Sequence, residues 1–470
     1  MNVSKDVLRL SRWVTEYERD GIIALFHILN IDVVFLGSEL KELVSLLRFG
    51  TTIDHIVARF PQYGADLVGL IGELSGRGIV VPFQTDDEAF LNVKREESVP
   101  PIGIETLYLL LTDSCNLRCS YCFILNGMPE GYRHNSMTWE TAKEAVDMFF
   151  TNIRRNPPEY KRSLKVINFY GGEPLVNFRL IQKIVGYVEA TYTGEMEVLG
   201  EEFIYSLVTN GTLIDEEIAA YLAGHPRINV TVSADGKKEI HDQKRVYLGG
   251  SGSFDDVLRG IRLLKAAGCQ EISISCTVDG HNVNRLEDLL ALHKEFGLLS
   301  INLNPLLDTE QQRVSMEYME LVNDRMIRYF QQAREVGIYE DRIMRKVRPF
   351  LTHRIHAYDC QATGHQLVCS PDGKLGVCHE GIGMKSYFFA SVSHNFDFHS
   401  HPVINEWGAR TPLNMPQCHD CPALGVCGGG CAYGAHLRNG SIWSVDDRFC
   451  FHSLQTLEWI IWDIYAQSVS

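Results

Sequence analysis

Between residue 105 and about residue 308, short apolar runs alternate with longer amphipathic ones. The short runs are ETLYLLLT, LKVINFY, EFIYSLVTN, INVTVSA, EISISCTV and LSINLNPL. Stretches such as TWETAKEAVDMFFTNI and NFRLIQKIVGYVEATY separate them and repeat apolar positions at helical spacing. Strand-then-helix units in this order predict a parallel sheet with right-handed crossovers, open or partly closed. Two strands declare their facing. In INVTVS, Ile228, Val230 and Val232 share one side, and Asn229, Thr231 and Ser233 the other. In ISISCTV, Ile272, Ile274, Cys276 and Val278 oppose Ser273, Ser275 and Thr277. A polar inner face and an apolar, helix-covered outer face predict an α/β fold, a partial (β/α)6 barrel with a wet lumen.

The flanks read differently. GIIALFHI and DVVFL are strand-like, with LNI as the turn between them. A helix over ELKELVSLLRF follows, with Ser38 as its expected N-cap. Thr52 opens a second over IDHIVARF, a third covers residues 65–74, and GRGIVVPF adds a strand. This order predicts a winged-helix-like domain over residues 1–95. Residues 84–101 are charged, end in Pro-Pro and read as a linker. The barrel then spans 102–308, and a charged helical linker 309–357. From 358 to 470 the texture is Gly, His and Cys with little periodicity, sequence that buries little core and needs staples.

Composition narrows the class. Across 470 residues, 45% hydrophobic and 22% charged content are those of a soluble protein of several domains. A net charge of −15 argues against nucleic acid as a partner and leaves a basic peptide open. No apolar run reaches membrane-spanning length, so no membrane partner is expected. The start MNVSKDVLRLSRWVTEYERDG lacks the zones of a secretion signal, so a cytoplasmic location is expected. In that reducing compartment, thirteen clustered cysteines point to metal rather than disulfides.

TDSCNLRCSYCF follows the first barrel strand directly and spaces Cys115, Cys119 and Cys122 as C-x₃-C-x₂-C. Loops at the C-terminal ends of parallel strands carry the active sites of such folds. Three thiolates hold three irons of a [4Fe–4S] cube and leave the fourth open; a zinc knuckle with a distant fourth ligand is the alternative. With Tyr121 before the last cysteine, the motif resembles the radical S-adenosylmethionine (SAM) superfamily. The resemblance implies that SAM chelates the open iron and is cleaved reductively to a 5′-deoxyadenosyl radical. It also implies a SAM-binding set at later strand ends: Gly171, Gly172 and Glu173 of FYGGEP, Thr209 and Asn210 of TNG, Ser233 and Asp235 of SADG, Arg245, Asn302, and Tyr121 itself. In this set Glu173 would meet the methionine ammonium and Arg245 the carboxylate. Tyr170, Asp235 and Asp279 are possible proton acceptors, and no catalytic residue is assigned.

Cys418, Cys421, Cys427 and Cys431 follow C-x₂-C-x₅-C-x₃-C, with Cys450 beyond and Cys360, Cys369, Gly373 and Cys378 before. This resembles the SPASM extension of radical SAM peptide maturases, C-x₉₋₁₅-G-x₄-C, C-x₂-C-x₅-C-x₃-C and a last Cys. The resemblance implies two auxiliary [4Fe–4S] clusters, three in all. Cys418, Cys421, Cys427 and Cys450 would hold one. Cys360, Cys378 and Cys431 would hold the other, with Cys369 as fourth ligand; without Cys369, that cluster keeps an open iron. Zinc ribbons are the alternative. Cys269 and Cys276 read as packed thiols, and His353, His356, His365 and His379 as surface or supporting residues.

The N-terminal module resembles the precursor-recognition element of enzymes that modify ribosomal peptides, which takes a leader as an added strand; GIIALFHI with DVVFL would offer the edge. The family reading is a maturase that takes hydrogen from a precursor peptide and closes an oxidative crosslink, first of all a cysteine thioether. A carbon–carbon or ether crosslink, or a formylglycine-forming sulfatase maturase, is the alternative. A flavodoxin or ferredoxin-type donor would supply electrons.

Overall fold

The computed structural model describes residues 6–124, 128, 132–306, 308, 314–383 and 385–469. Its N-terminal part holds β1 (Val7–Leu10), β2 (Val14–Arg19), β3 (Ile22–His27), β4 (Asp32–Gly37), α1 (Lys41–Phe49), β5 (Thr51–Thr52), α2 (Ile53–Arg59), α3 (Gly64–Gly76) and β6 (Val80–Pro82). Two small antiparallel sheets result, β2-β3-β4 and β5-β1-β6. Thr52 caps α2 by accepting from His55 N, as expected. Ser38 instead opens a 3-10 turn, and its N–H donates to Gly21 O at 2.8 Å. GIIALFHI is β3, which lies between β2 and β4; the open edges of that sheet are therefore β2 and β4.

The segment read as a linker folds as α4 (Asp87–Ser98), capped by Asp86 and anchored by buried Leu91. Arg95 donates to Leu413 O. One apolar core joins Trp13, Phe26, Ile28 and Leu91 to Leu424, Val426, Leu457 and Ile461 of the C-terminal part. The approach is so close that a Cβ on Gly425 would strike the Ile28 carbonyl.

The expected barrel strands form as β7 (Thr106–Thr112), β8 (Lys165–Gly171), β9 (Phe203–Thr209), β10 (Ile228–Ser233), β11 (Ile272–Val278) and β12 (Ser300–Pro305). They pair in chain order and in parallel. Ile228, Val230, Val232, Ile272, Ile274, Cys276 and Val278 are buried, and the alternating polar residues half-buried, as the pattern demands. The supposed helical linker continues the barrel. Helix α5 (Met316–Glu335) packs Val322, Met326 and Tyr329 into the main core, and β13 (Tyr339–Glu340) pairs with β12 before α6 (Asp341–Thr352).

At the other edge, β14 (Gln366–Cys369) runs parallel beside β7, and β15 (Lys374–Gly376) and β16 (Phe388–Ser391) extend the sheet antiparallel. The first part of the C-terminal cysteine region, residues 366–391, thus continues the barrel sheet. Helices α7 (Ala432–Asn439) and α8 (Asp447–Ser468) follow.

Candidate active site

The loop after β7 is pinned to the loop after β10. Arg118 N donates to Val246 O at 2.7 Å, Ser120 N to Lys244 O at 3.1 Å, and Leu117 bridges Tyr247. Cys115 and Cys119 stand close to each other and to Cys122. Burial pushes the Cys115 thiol to about 12 and the Cys119 thiol to about 11, with Arg245 pulling Cys119 the other way. Gly171 and Gly172 lie against this loop: a Cβ on either would strike the Thr112 or Ser114 carbonyl. Glu173 is buried beneath it. Its carboxylate accepts from Leu175 N at 3.0 Å, Thr209 Oγ1 at 2.7 Å and Asn210 N at 2.7 Å, and burial pushes its carboxyl up to about 7. Asp235 collects Tyr121 Oη, Arg245 Nε at 2.8 Å and Nη2 at 3.3 Å, and Thr277 N at 3.0 Å. Two of the three Arg245 nitrogens therefore meet a carboxylate of the chain itself. Ser233 and Asn302 flank Ser275 across neighbouring strands on the polar face.

The C-terminal cysteines gather as two groups. Cys418, Cys421, Cys427 and Cys450 act on one another electrostatically, as do Cys360, Cys378 and Cys431. Cys431 caps α7, and Gly434 N donates to its Sγ at 3.2 Å. Cys369 belongs to neither group. Its buried thiol donates to Ser370 O, with Asp372, Lys385 and Glu144 as its charged surroundings. The hairpin explains this. Val368 pairs with Gly376 and Gln366 Nε2 bonds Val377 O, so Cys378 lies level with the start of β14. Cys369 is three residues further on, about 10 Å away at strand rise. Cys276 is a packed thiol in the core, and Cys269 packs against it partly buried.

The Radical SAM superfamily model matches residues 109–293, the span that carries this loop and all of the strand-end set but Asn302. The chain belongs to the radical SAM superfamily. It is an enzyme, and its superfamily uses SAM and a [4Fe–4S] cluster. The uncharacterized protein MJ0907 of Methanocaldococcus jannaschii is 33% identical over 226 residues, 47% of this chain and 71% of that protein. The radical SAM cyclopropyl synthase TigE of Paramaledivibacter caminithermalis is 23% identical over 469 residues, 94% of this chain and 93% of TigE. A cysteine-type anaerobic sulfatase-maturating enzyme of Clostridium novyi is 27% identical over 198 residues, 42% of this chain and 50% of that protein. Streptococcus suis SuiB bound to precursor peptide SuiA shares the fold: TM-score 0.53, 15% identity, covering 94% of this chain and 99% of SuiB.

The donor set of the radical SAM loop fits a [4Fe–4S] cube: a cube takes one thiolate per iron, and Cys115, Cys119 and Cys122 offer three neighbouring sulfurs.

Several residues at the barrel mouth escaped the sequence reading. Asn116 accepts from Asn210 and donates to Thr212, tying the cysteine loop to β9. Asn282 donates to Asp235 O and Thr277 O. His379, beside Cys378, stacks on Tyr108 at 4.9 Å and meets Phe123, beside Cys122, at 5.9 Å. Next to it, burial pushes the Glu380 carboxyl to about 7, with Cys378 and Cys431 near. In the sequence His379 reads as a surface or supporting residue, and Glu380 is marked only by standing two residues after Cys378.

Proposed function

We propose that this enzyme modifies a ribosomally made peptide by closing a bond with net loss of two hydrogens. The observation that carries the reading is the grouping of cysteines: three at the barrel mouth, and three plus four in a region joined to the same sheet. Bound in the first loop, a [4Fe–4S] cluster and SAM supply a 5′-deoxyadenosyl radical that takes one hydrogen atom. Glu173 would hold the methionine ammonium, with Thr209 and Asn210 fixing its carboxylate. Tyr121, Asp235 and Arg245 would fix the loop. Closing the bond leaves one electron and one proton. The two C-terminal groups suit auxiliary clusters able to accept the electron, and Glu380 is the acid at this aromatic wall suited to the proton. Without Cys369, Cys360, Cys378 and Cys431 would hold three irons of a cluster and would leave the fourth open to a substrate atom. Such clusters suit the reducing cytoplasm, with a flavodoxin or ferredoxin as donor.

The likeness to a cyclopropyl synthase over almost the whole chain favours carbon–carbon closure over the thioether expected from the motifs. The sulfatase-maturase alternative stands beside it: that relative matches 42% of the chain in sequence, and the anSMEcpe structures share the fold over 75–78% of it. The open edge of β4 suits leader addition. Ser38 N faces β3, so by alternation the Val33 and Phe35 N–H groups face outward.

The test is anaerobic turnover with SAM, a reductant and a short peptide encoded beside the enzyme. The expected product is two hydrogens lighter. If the peptide contains cysteine, alkylation separates the bond types: a thioether blocks it and a carbon–carbon bond does not. Cysteine converted to an aldehyde would establish formylglycine formation instead. Unchanged peptide alongside abundant 5′-deoxyadenosine would overturn the peptide reading for that substrate class.

A further inference from the structure

Arg410 ends the helix Pro402–Ala409 and is fully buried. Its Nη1 donates to Gly429 O at 2.7 Å, Nη2 to Ser444 O at 3.1 Å, and Nε to Ile442 O. All three acceptors are neutral. Arg448, also buried, has the carboxylates of Asp308 and Asp446. A buried guanidinium without a counter-charge is strongly unfavourable. Burial pulls the Arg410 guanidinium down, and the neighbouring groups that offset this are four cysteines, Cys431, Cys427, Cys418 and Cys450, which carry negative charge only as thiolates. They straddle the two C-terminal groups.

The loop from Cys427 to Cys431 joins those groups through three glycines, with φ of +72°, +79° and +64°. A Cβ on Gly429 would lie 3.3 Å from Arg410 Nη1, so glycine admits the guanidinium to this loop. The fork holds the Gly429 carbonyl and lies against the strip of chain that carries one ligand of each group.

We propose that Arg410 is the shared counter-charge of two C-terminal iron–sulfur clusters, a positioning residue that raises both reduction potentials and holds the loop between them. This rests on the auxiliary-cluster reading above. A cluster gains negative charge when it takes an electron. A fixed cation beside it therefore favours the reduced form, and removing the cation makes reduction harder.

Reconstituted wild-type, Arg410→Gln and Arg410→Lys enzymes are compared by iron and sulfide content, then by potentiometric EPR titration. About twelve irons per wild-type chain are expected; about four would remove the auxiliary clusters and Arg410's role with them. With twelve present, Arg410→Gln shifts both auxiliary midpoints to more negative potential. The SAM-cluster midpoint stays in place, and Arg410→Lys stays nearer wild type. Unmoved auxiliary midpoints in Arg410→Gln overturn the proposal while leaving the clusters standing. Should Arg410→Gln fail to hold its iron, Arg410→Lys decides. Iron at the wild-type level there supports the charge, and equal loss overturns it in favour of the fork's hydrogen bonds alone.

Discussion

Glu173 shows how one carboxyl can be tuned by depth. Burial raises it to about 7, and three donors pull the other way. A partner ammonium needs the ionised form, so SAM affinity falls as pH drops below about 7, approaching tenfold per pH unit. Anaerobic calorimetry should find this slope in the wild type, and weaker, flatter binding in Glu173→Gln. Glu380→Gln should separate two readouts: 5′-deoxyadenosine still forms, while modified peptide falls at least tenfold. Alanine at Cys115, Cys119 or Cys122 should cut 5′-deoxyadenosine to background and remove about four irons. At this scale the sequence was most legible where chemistry demands fixed spacing, at the cysteines. Arg410 was silent there, because nothing in the run GARTP announces that its charge lies near four cysteines from later in the chain.

Strands β9, β10 and β11 were legible because one helix-packed face enforces a period of two, and β7 because it is a nearly continuous apolar run, buried at six of its seven residues. What escaped had weaker patterns. β2, VTEYER, is half-exposed and charged, and α4 buries Leu91 alone among its residues. β13 and β15 are two and three residues long, too short for periodicity to declare them. Two predictions belong to elements. Val33→Pro removes an outward N–H from the β4 edge. It should weaken binding of a fluorescent leader peptide while leaving radical formation without peptide unchanged. Gly428→Ala meets both a left-handed backbone and the Asp359 N–H, which a Cβ would approach to 2.5 Å. It should cost roughly 1–3 kcal/mol and lower the melting temperature and auxiliary iron together.

The whole molecule is less modular than its composition suggests. Residues 1–95 share a core with the C-terminal part, so their removal uncovers Leu424, Val426, Leu457 and Ile461. A truncation lacking them should lose iron and elute as aggregate in gel filtration, rather than merely losing the leader. Monomeric, fully loaded truncated protein would contradict the shared core. The same lesson holds at β14, which completes the sheet from far away. Gln366 pairs with Thr106, 260 residues earlier (366 minus 106). During synthesis the free edge of β7 waits for almost the whole chain to emerge. Pairing so remote in sequence is slow to form, and an unpaired apolar edge invites wrong partners meanwhile. The first cysteine loop is made early, yet the wall beside it closes last. Folding of this enzyme is therefore expected to be limited by the arrival of its C-terminal third, and to depend on chaperones more than a barrel of local contacts would.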